Sequence, residues 1–193
     1  MNAESLKQLR EQTGVSIMLC KKALDEAKGD FKKALKILET KSKVVSLKKS
    51  ERKTDSGAVD AYIHSNRKVG VLIELRTETD FVAKNELFQK LAHDLAMHIA
   101  ASNPKFVKKE LIPEEIRQET KKIYEEEVSG LDKSKELKEK IIEGKLLSHF
   151  AEITLYEQPF VKDPDKKVGE IVEEAILKFG ENIEVARFCR FEL

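Results

Sequence analysis

Residues 69–101 read VGVLIELRTETDFVAKNELFQKLAHDLAMHIAA, and this run predicts a strand, a turn and a helix in that order. The first part alternates apolar residues with others, which is typical of a strand that has one face in a core. The last part spaces apolar residues four apart, as on the buried side of a helix, and Asn85 before it is a suitable N-cap. The alternating residues are Val69, Val71, Ile73 and Leu75, and the spaced ones are Leu87, Leu91, Leu95 and Ile99.

The predicted turn places an aromatic side chain beside a carboxylate, in the sequence Thr79, Asp80, Phe81 and Val82. Connections between a strand and a helix are common sites at which a rigid scaffold presents residues to a partner. Two interpretations follow from the residues alone. Either the pair contacts another molecule, or Phe81 fills the core and Asp80 helps to form the turn.

The segments on either side of this run extend the sheet. A strand is predicted at 58–63, and a turn at 65–68 then leads back into Val69, which makes a hairpin. Towards the C-terminus, alternation predicts strands at 150–156 and 183–191, and helical spacing predicts a helix at 168–179. The predicted class is α+β, with a mainly antiparallel sheet and helices on one face.

A highly charged segment interrupts this pattern, since more than half of residues 105–145 are charged. Apolar residues keep helical spacing on both sides of the turn-like sequence at 129–132. We therefore predict that residues 105–147 form a protruding pair of helices, with the charge runs on solvated faces.

The N-terminal part has a different pattern, with three short stretches of helical spacing between residues 5 and 40. Ser16 and Asp30 are suitable caps for the second and third helices. Residues 41–57 are polar and basic, which is typical of a linker. The predicted organisation is a three-helix unit over 1–42, a linker over 43–57 and an α+β core domain over 58–193.

Charge and motifs argue against several classes of function. The chain has 36 Lys and Arg against 35 Asp and Glu, a formal net charge of +1, so its overall charge favours neither nucleic acid nor a membrane surface. It contains no phosphate loop of the form GxxxxGKS or GxxxxGKT, no GxGxxG after a strand and no HExxH helix. We predict a binding protein rather than an enzyme, with neither a cofactor nor a metal site.

The remaining polar residues agree with this prediction. Cys20 and Cys189 lie far apart without a CxxC spacing, and we expect two buried or half-buried thiols. The histidines are expected to be ordinary, partly exposed side chains, at His64, His93, His98 and His149. The first residues lack the apolar core of a signal peptide, and no run of about 18 apolar residues occurs, so a cytoplasmic chain is predicted.

Three stretches resemble the bacterial elongation factor Ts family. Two are long and ungapped: LREQTGVSIMLCKKAL at 9–24 and ELRTETDFVAKN at 74–85. The third, QPFVKDP at 158–164, extends the resemblance to the C-terminal quarter. Leu19 and Arg76 depart from the family pattern, which often has an acidic residue and an asparagine at these positions.

The resemblance implies a fold, a partner and an activity. It implies that the three N-terminal helices form a ubiquitin-associated-like unit, which docks on the nucleotide-binding domain of GDP-bound elongation factor Tu. The matching contact positions are Arg10, Ile17, Met18 and Lys21.

The family's second contact is the segment that disturbs the partner's magnesium site, and it matches Thr79, Asp80, Phe81 and Val82. In this family Phe81 is expected to insert between helices of the partner, and Asp80 to act close to the metal-binding region. The implied activity is guanine-nucleotide exchange during translation elongation, in which no bond is made or broken.

Several alternatives stay open in the sequence. Ile17 and Met18 either contact a partner or fill the core of the three-helix unit. The basic segment 41–53 allows a nucleic-acid- or ribosome-associated binding module, and the small helices allow an adaptor for ubiquitin-like partners. Exchange activity itself implies neither a direct nucleic-acid contact nor a membrane. The resemblance also implies a possible homodimer, because short members of the family carry one copy of a core that longer members duplicate. The candidate seam is the final strand, at Phe188, Cys189 and Phe191.

Overall fold

The computed structural model describes residues 3–193, and its N-terminal part folds into three helices. Ser16 and Asp30 cap the second and third of them, since each side chain accepts a hydrogen bond from the backbone N–H three residues further on. Both predicted caps are therefore confirmed. The helices are α1 (Ala3–Thr13), α2 (Ile17–Glu26) and α3 (Phe31–Lys49).

α3 is longer than the sequence pattern predicts, because it continues to Lys49 instead of ending near residue 40. The predicted linker over 43–57 consequently begins inside a helix. The lysines of this part of α3 lie on its solvent side. On its other side Ser42 is buried, and Val45 packs against the cores of both units. So few buried residues in a lysine-rich segment do not produce a recognisable helical period.

A β-hairpin and two helices follow, and they contain the strand, turn and helix predicted over 69–101. The hairpin pairs Ile63 with Gly70 across the predicted turn. The long helix begins after Asn85, whose side chain accepts a hydrogen bond from a backbone N–H, and it ends at Asn103 with a left-handed φ of 47°. The elements are β1 (Ser56–Ile63), β2 (Val69–Thr77), α4 (Asp80–Ala83) and α5 (Glu86–Ser102).

The charged segment forms an antiparallel helical pair, α6 (Glu114–Ser129) and α7 (Lys135–Glu152). Because α7 continues to Glu152 and a short 3-10 helix follows, the strand predicted at 150–156 is wrong. The ring of Phe150 packs under the guanidinium of Arg117 on α6, with 5.6 Å between the guanidinium carbon and the ring centroid. A short alternating run does not distinguish a strand from the last turns of a helix that packs on its neighbour.

The C-terminal quarter contains a second, two-stranded sheet that the sequence pattern does not predict. Its two short strands turn back at residues 161–162 and lead directly into the next helix. That helix and the last strand are as predicted, and Gly180 closes the helix with a left-handed φ of 74°. The elements are β3 (Pro159–Phe160), β4 (Asp163–Lys167), α8 (Val168–Phe179) and β5 (Ile183–Glu192).

The main sheet has the strand order β1-β2-β5, and both pairings are antiparallel. One face is buried under α5 and α8, and the other face is open. The predicted α+β class, with a mainly antiparallel sheet and helices on one face, is confirmed. The buried face includes Val71, Ile73 and Leu75, and the open face carries Val59, Ile63, Leu72 and Phe191.

The three-helix unit is docked on α8 of the core domain. Leu177 of α8 completes the small core of that unit, and Val45 of α3 contacts both cores. An ion pair reinforces the junction, with 2.8 Å between Lys43 Nζ and Glu170 Oε1. α3 therefore holds the two units in a fixed arrangement.

His98 is buried, so the expectation of a partly exposed side chain is wrong for this histidine. Its Nδ1 accepts a hydrogen bond from the Val161 N–H at 3.2 Å, and in that tautomer its Nε2 donates to Gln158 Oε1 at 2.9 Å. Burial lowers the pKa of the His98 ring, although the hydrogen bond to Gln158 opposes this shift. With both nitrogens occupied, His98 anchors the β3–β4 hairpin to α5.

Candidate partner-binding site

The predicted motif at 79–82 lies on a one-turn helix between β2 and α5. The chain leaves β2 in an extended conformation at Thr79 and enters α4 at Asp80. Val82 is half-buried against the core and Ala83 is buried, so one side of α4 packs on the core domain. Phe81 is 85% exposed. Its ring does not fill the core, which excludes one of the two interpretations of this residue.

Asp80, next to the exposed ring, forms an ion pair within its own segment. Its Oδ2 lies 2.6 Å from Lys84 Nζ, and the hydrogen bond and charge of Lys84 lower the pKa of the Asp80 carboxyl. The carboxylate is therefore ionised at neutral pH. Both partners are exposed, and exposed pairs of this kind contribute little to stability. The pair can therefore open when another group competes for the carboxylate.

Two glutamates outside the predicted site hold this segment in place. Glu181, between α8 and β5, accepts hydrogen bonds from the Thr79 N–H at 3.0 Å and from the hydroxyls of Thr79 and Thr77 at 2.7 and 2.9 Å. In the reverse direction, Glu78 accepts from the Asn182 N–H at 2.6 Å. Neither glutamate can be predicted from the sequence pattern, because their contacts join loops that are 102 to 104 residues apart in the chain.

The other predicted contact residues lie on α1 and α2 and are exposed. Ile17 is 49% exposed and Met18 is 68% exposed, so neither fills the core of the three-helix unit. Lys21 follows on the same face of α2 by its spacing, and Arg10 is exposed on α1. Other residues form the core of this unit, namely Leu9, Val15, Cys20, Ala23, Leu24, Ala27, Ala34 and Leu38.

The predicted site residues thus fall into two groups. We call them the N-terminal patch (Arg10, Ile17, Met18 and Lys21) and the Phe81 turn (Thr79, Asp80, Phe81 and Val82). They lie on different units of the fold. Because α3 packs on α8, the fold rather than a flexible tether sets the distance between them.

Much of the basic charge at 41–53 is used within the chain. Lys41 and Lys43 form ion pairs with glutamates at 2.9 and 2.8 Å, and Arg52 lies 3.5 Å from Glu78. Lys49 donates to the Gly180 carbonyl. Side chains that bind acidic groups of the chain itself are not free to bind phosphates. This observation weighs against a nucleic-acid- or ribosome-associated binding module.

The two cysteines are both free thiols, and they differ in exposure. Cys20 is buried as predicted, whereas Cys189 is exposed on the open face of the sheet, so the expectation of burial is wrong there. Within residues 3–193, no group of three or more His, Cys, Asp or Glu is placed to hold a metal ion. The same part of the chain contains no helix that is long and apolar enough to cross a membrane.

Comparison with known proteins adds an independent observation. A family model described as Elongation factor TS matches residues 21–193. The chain belongs to the elongation factor Ts family. The match to elongation factor Ts includes the Phe81 turn and the whole core domain, and it begins within α2.

Individual relatives named elongation factor Ts match the full length of the chain. The protein of Thermodesulfovibrio yellowstonii is 47% identical over 193 residues, which are 100% of this chain and 96% of the relative. That of Thermosipho melanesiensis is 47% identical over 191 residues, 99% and 97% of the two chains. That of Acetivibrio thermocellus is 46% identical over 192 residues, 100% and 89% of the two chains. The similarity to elongation factor Ts that the sequence motifs indicate is confirmed, and it includes the N-terminal patch.

Proposed function

We propose that this chain accelerates the release of GDP from elongation factor Tu by disturbing the magnesium site of that partner. Membership of the elongation factor Ts family implies nucleotide exchange on elongation factor Tu in translation elongation. The observation that carries the mechanism is the Phe81 turn, in which an exposed aromatic ring stands beside an ionised carboxylate. A cytoplasmic location accords with this role.

In this mechanism the two side chains of the Phe81 turn have different tasks. Phe81 inserts as a wedge between helices of the partner, and Asp80 leaves Lys84 to act near the partner's metal-binding region. Magnesium neutralises the charge of the nucleotide phosphates, so its displacement weakens the hold on GDP. The protein makes or breaks no covalent bond.

The energies show that the Phe81 turn cannot act alone. A thousandfold acceleration corresponds to about 4 kcal/mol. Burial of one Phe side chain supplies about 1.5–3 kcal/mol. Other contacts must therefore contribute binding energy that is realised in the distorted partner.

The N-terminal patch is suited to supply that additional energy. It combines two exposed apolar side chains with two cations, Arg10 and Lys21, and methionine adapts well to a partner surface. We propose that it docks on the nucleotide-binding domain of GDP-bound elongation factor Tu. Because coupling between two ligands is reciprocal, nucleotide that rebinds must weaken this contact by the same factor.

The test of this function is the release of a fluorescent GDP analogue from elongation factor Tu, followed in stopped flow after addition of excess unlabelled GDP. We expect the rate to rise with the concentration of the chain and then to saturate. Release in the presence of EDTA serves as a reference for what loss of magnesium achieves without the chain. Release at the spontaneous rate at every concentration contradicts the proposal.

We further propose that the chain forms a homodimer through the open face of its main sheet. This face displays Leu72 and Phe191, together with the thiol of Cys189, across two paired strands. Apolar side chains side by side on an uncovered sheet face are typical of a protein interface. Two of the three residues of the predicted seam, Cys189 and Phe191, lie on this open face. Phe188 packs against the core instead, so it is not part of the proposed seam.

The dimer is tested by sedimentation equilibrium at micromolar concentration under reducing conditions, which exclude a disulfide through Cys189. We expect a dimer for the intact chain and a shift to monomer for Leu72→Glu, because a charge on this face opposes its burial. Leu47→Glu is the matched control, since Leu47 is exposed on α3, and it is expected to stay dimeric. An intact chain that sediments only as a monomer refutes the dimer.

A further inference from the structure

We infer that Glu181 is a positioning residue for the Phe81 turn, which it holds against the loop between α8 and β5. This inference rests on the proposed function, because the position of the turn affects exchange only if Phe81 enters the partner. It starts from an unusual set of contacts: one carboxylate accepts three hydrogen bonds from neutral donors, all of them in residues 77–79.

Both oxygens of Glu181 take part in these contacts. Oε1 accepts from the Thr79 hydroxyl at 2.7 Å, while Oε2 accepts from the Thr79 N–H at 3.0 Å and the Thr77 hydroxyl at 2.9 Å. Burial acts to raise the pKa of the Glu181 carboxyl, but the hydrogen bonds from Thr79 and Thr77 outweigh it and the pKa lies below its usual value. The group is therefore an ionised acceptor at neutral pH, and bonds to ionised acceptors are stronger than those between neutral groups.

α4 needs such support because it has only four residues. A helix of one turn is not stable by itself in water, since its nucleation is unfavourable. Thr79 occupies the N-cap position, where a hydroxyl commonly accepts from a helix N–H, but here that hydroxyl donates to Glu181. The threonine thus ties the start of α4 to a different part of the chain.

A second contact joins the same two loops, with the carboxylate on the other loop. Glu78 Oε1 accepts from the Asn182 N–H at 2.6 Å, and Asn182 Nδ2 donates to the Arg52 carbonyl at 2.9 Å. Each loop therefore provides a carboxylate to the backbone of the other. Through Arg52 the contact reaches the segment that follows α3, the last helix of the three-helix unit.

This geometry predicts which kinetic quantity depends on Glu181. A turn whose backbone is already ordered in the free chain presents Phe81 to the partner without the cost of ordering that backbone at the binding step. Loss of the Glu181 hydrogen bonds leaves Phe81 present but less ordered. The maximal rate of release should therefore fall, whereas the concentration for half-maximal effect, which the N-terminal patch governs, should change little.

The experiment compares Glu181→Gln with Glu184→Gln in the full chain. Glu184 is a matched control, because it also accepts from a threonine hydroxyl, that of Thr54 at 2.6 Å. In Glu181→Gln we expect backbone hydrogen exchange at 79–85 to accelerate about tenfold and the maximal rate of GDP release to fall about tenfold. In Glu184→Gln both quantities are expected to keep the values of the intact chain.

A second pair of variants distinguishes loss of the hydrogen bond to Glu181 from a general loss of packing. If Glu181→Gln fails to fold, this pair tests the positioning role in its place. Thr79→Ser keeps the hydroxyl that donates to Glu181, and Thr79→Val keeps the size of the side chain but removes that hydroxyl. We expect slow hydrogen exchange at 80–85 in the serine variant and fast exchange in the valine variant. The reverse order overturns the inference.

The outcomes distinguish this inference from the proposed function. Unchanged hydrogen exchange at 79–85 in a folded Glu181→Gln variant overturns the positioning role, and so does faster hydrogen exchange with an unchanged maximal rate of release. Normal acceleration by both the intact chain and Glu181→Gln overturns the positioning role alone. Failure of the intact chain to accelerate release overturns the proposed function, and the role of Glu181 in exchange falls with it.

Discussion

Phe81→Ala is expected to lower the maximal rate of GDP release from elongation factor Tu about tenfold to a hundredfold. The reason is that a buried Phe side chain supplies about 1.5–3 kcal/mol, which the proposed wedge would contribute only when the partner is distorted. Because Phe81 is 85% exposed in the free chain, its truncation removes little internal packing. The measurement is the rate of release at saturating concentration of the variant.

The matched control for this variant is Leu47→Ala, which also truncates an exposed apolar side chain, on α3 rather than on α4. It is expected to keep the maximal rate of the intact chain. Asp80→Ala is expected to slow release as well, because it removes the carboxylate proposed to act near the metal. A Phe81→Ala variant with an unchanged maximal rate would rule out the wedge.

The double variant Ile17→Ala, Met18→Ala is expected to raise the concentration for half-maximal acceleration about a hundredfold or more. Two apolar side chains buried on docking supply about 3–6 kcal/mol together, and alanine retains only part of this. The maximal rate is expected to fall less than it does in Phe81→Ala, because only part of the binding energy of the N-terminal patch is realised in the distorted partner. A titration of the variant against a fixed concentration of elongation factor Tu with labelled GDP measures both quantities.

Val44→Ala is the control for the double variant, because Val44 is an exposed apolar residue of the same three-helix unit. Its half-maximal concentration is expected to match that of the intact chain. Circular dichroism should show intact helices in both variants, since Ile17 and Met18 lie outside the core of this unit. An unchanged half-maximal concentration in the double variant would exclude the N-terminal patch as the docking surface.

The strand-turn-helix run at the centre of the chain could be predicted in detail from local patterns. The alternation along β2, the four-residue spacing along α5 and the cap at Asn85 all appear in the structure. These features depend on neighbours within a few positions, so the sequence pattern contains them directly. For the same reason Phe81 could be placed at the connection from sequence, although its exposure could not.

Contacts between distant segments account for what the sequence pattern did not predict. α3 continues to Lys49 because α8 provides a surface for it to pack on, and α7 continues through 150–152 because α6 does the same. Each extension depends on tertiary packing that overrides a weak local signal. The role of Glu181 does not follow from local sequence for a similar reason, since its contacts form only when the β2–α4 and α8–β5 loops meet.

The continuity of α3 across both cores has a thermodynamic consequence. Val45 belongs to the packing of both units and Leu177 of α8 to that of the three-helix unit, so disorder in one unit removes contacts from the other. By linkage, a partner that binds only the folded chain raises its free energy of unfolding. A partner held on α2 would therefore protect the core domain against local unfolding, including the parts of that domain that it does not touch.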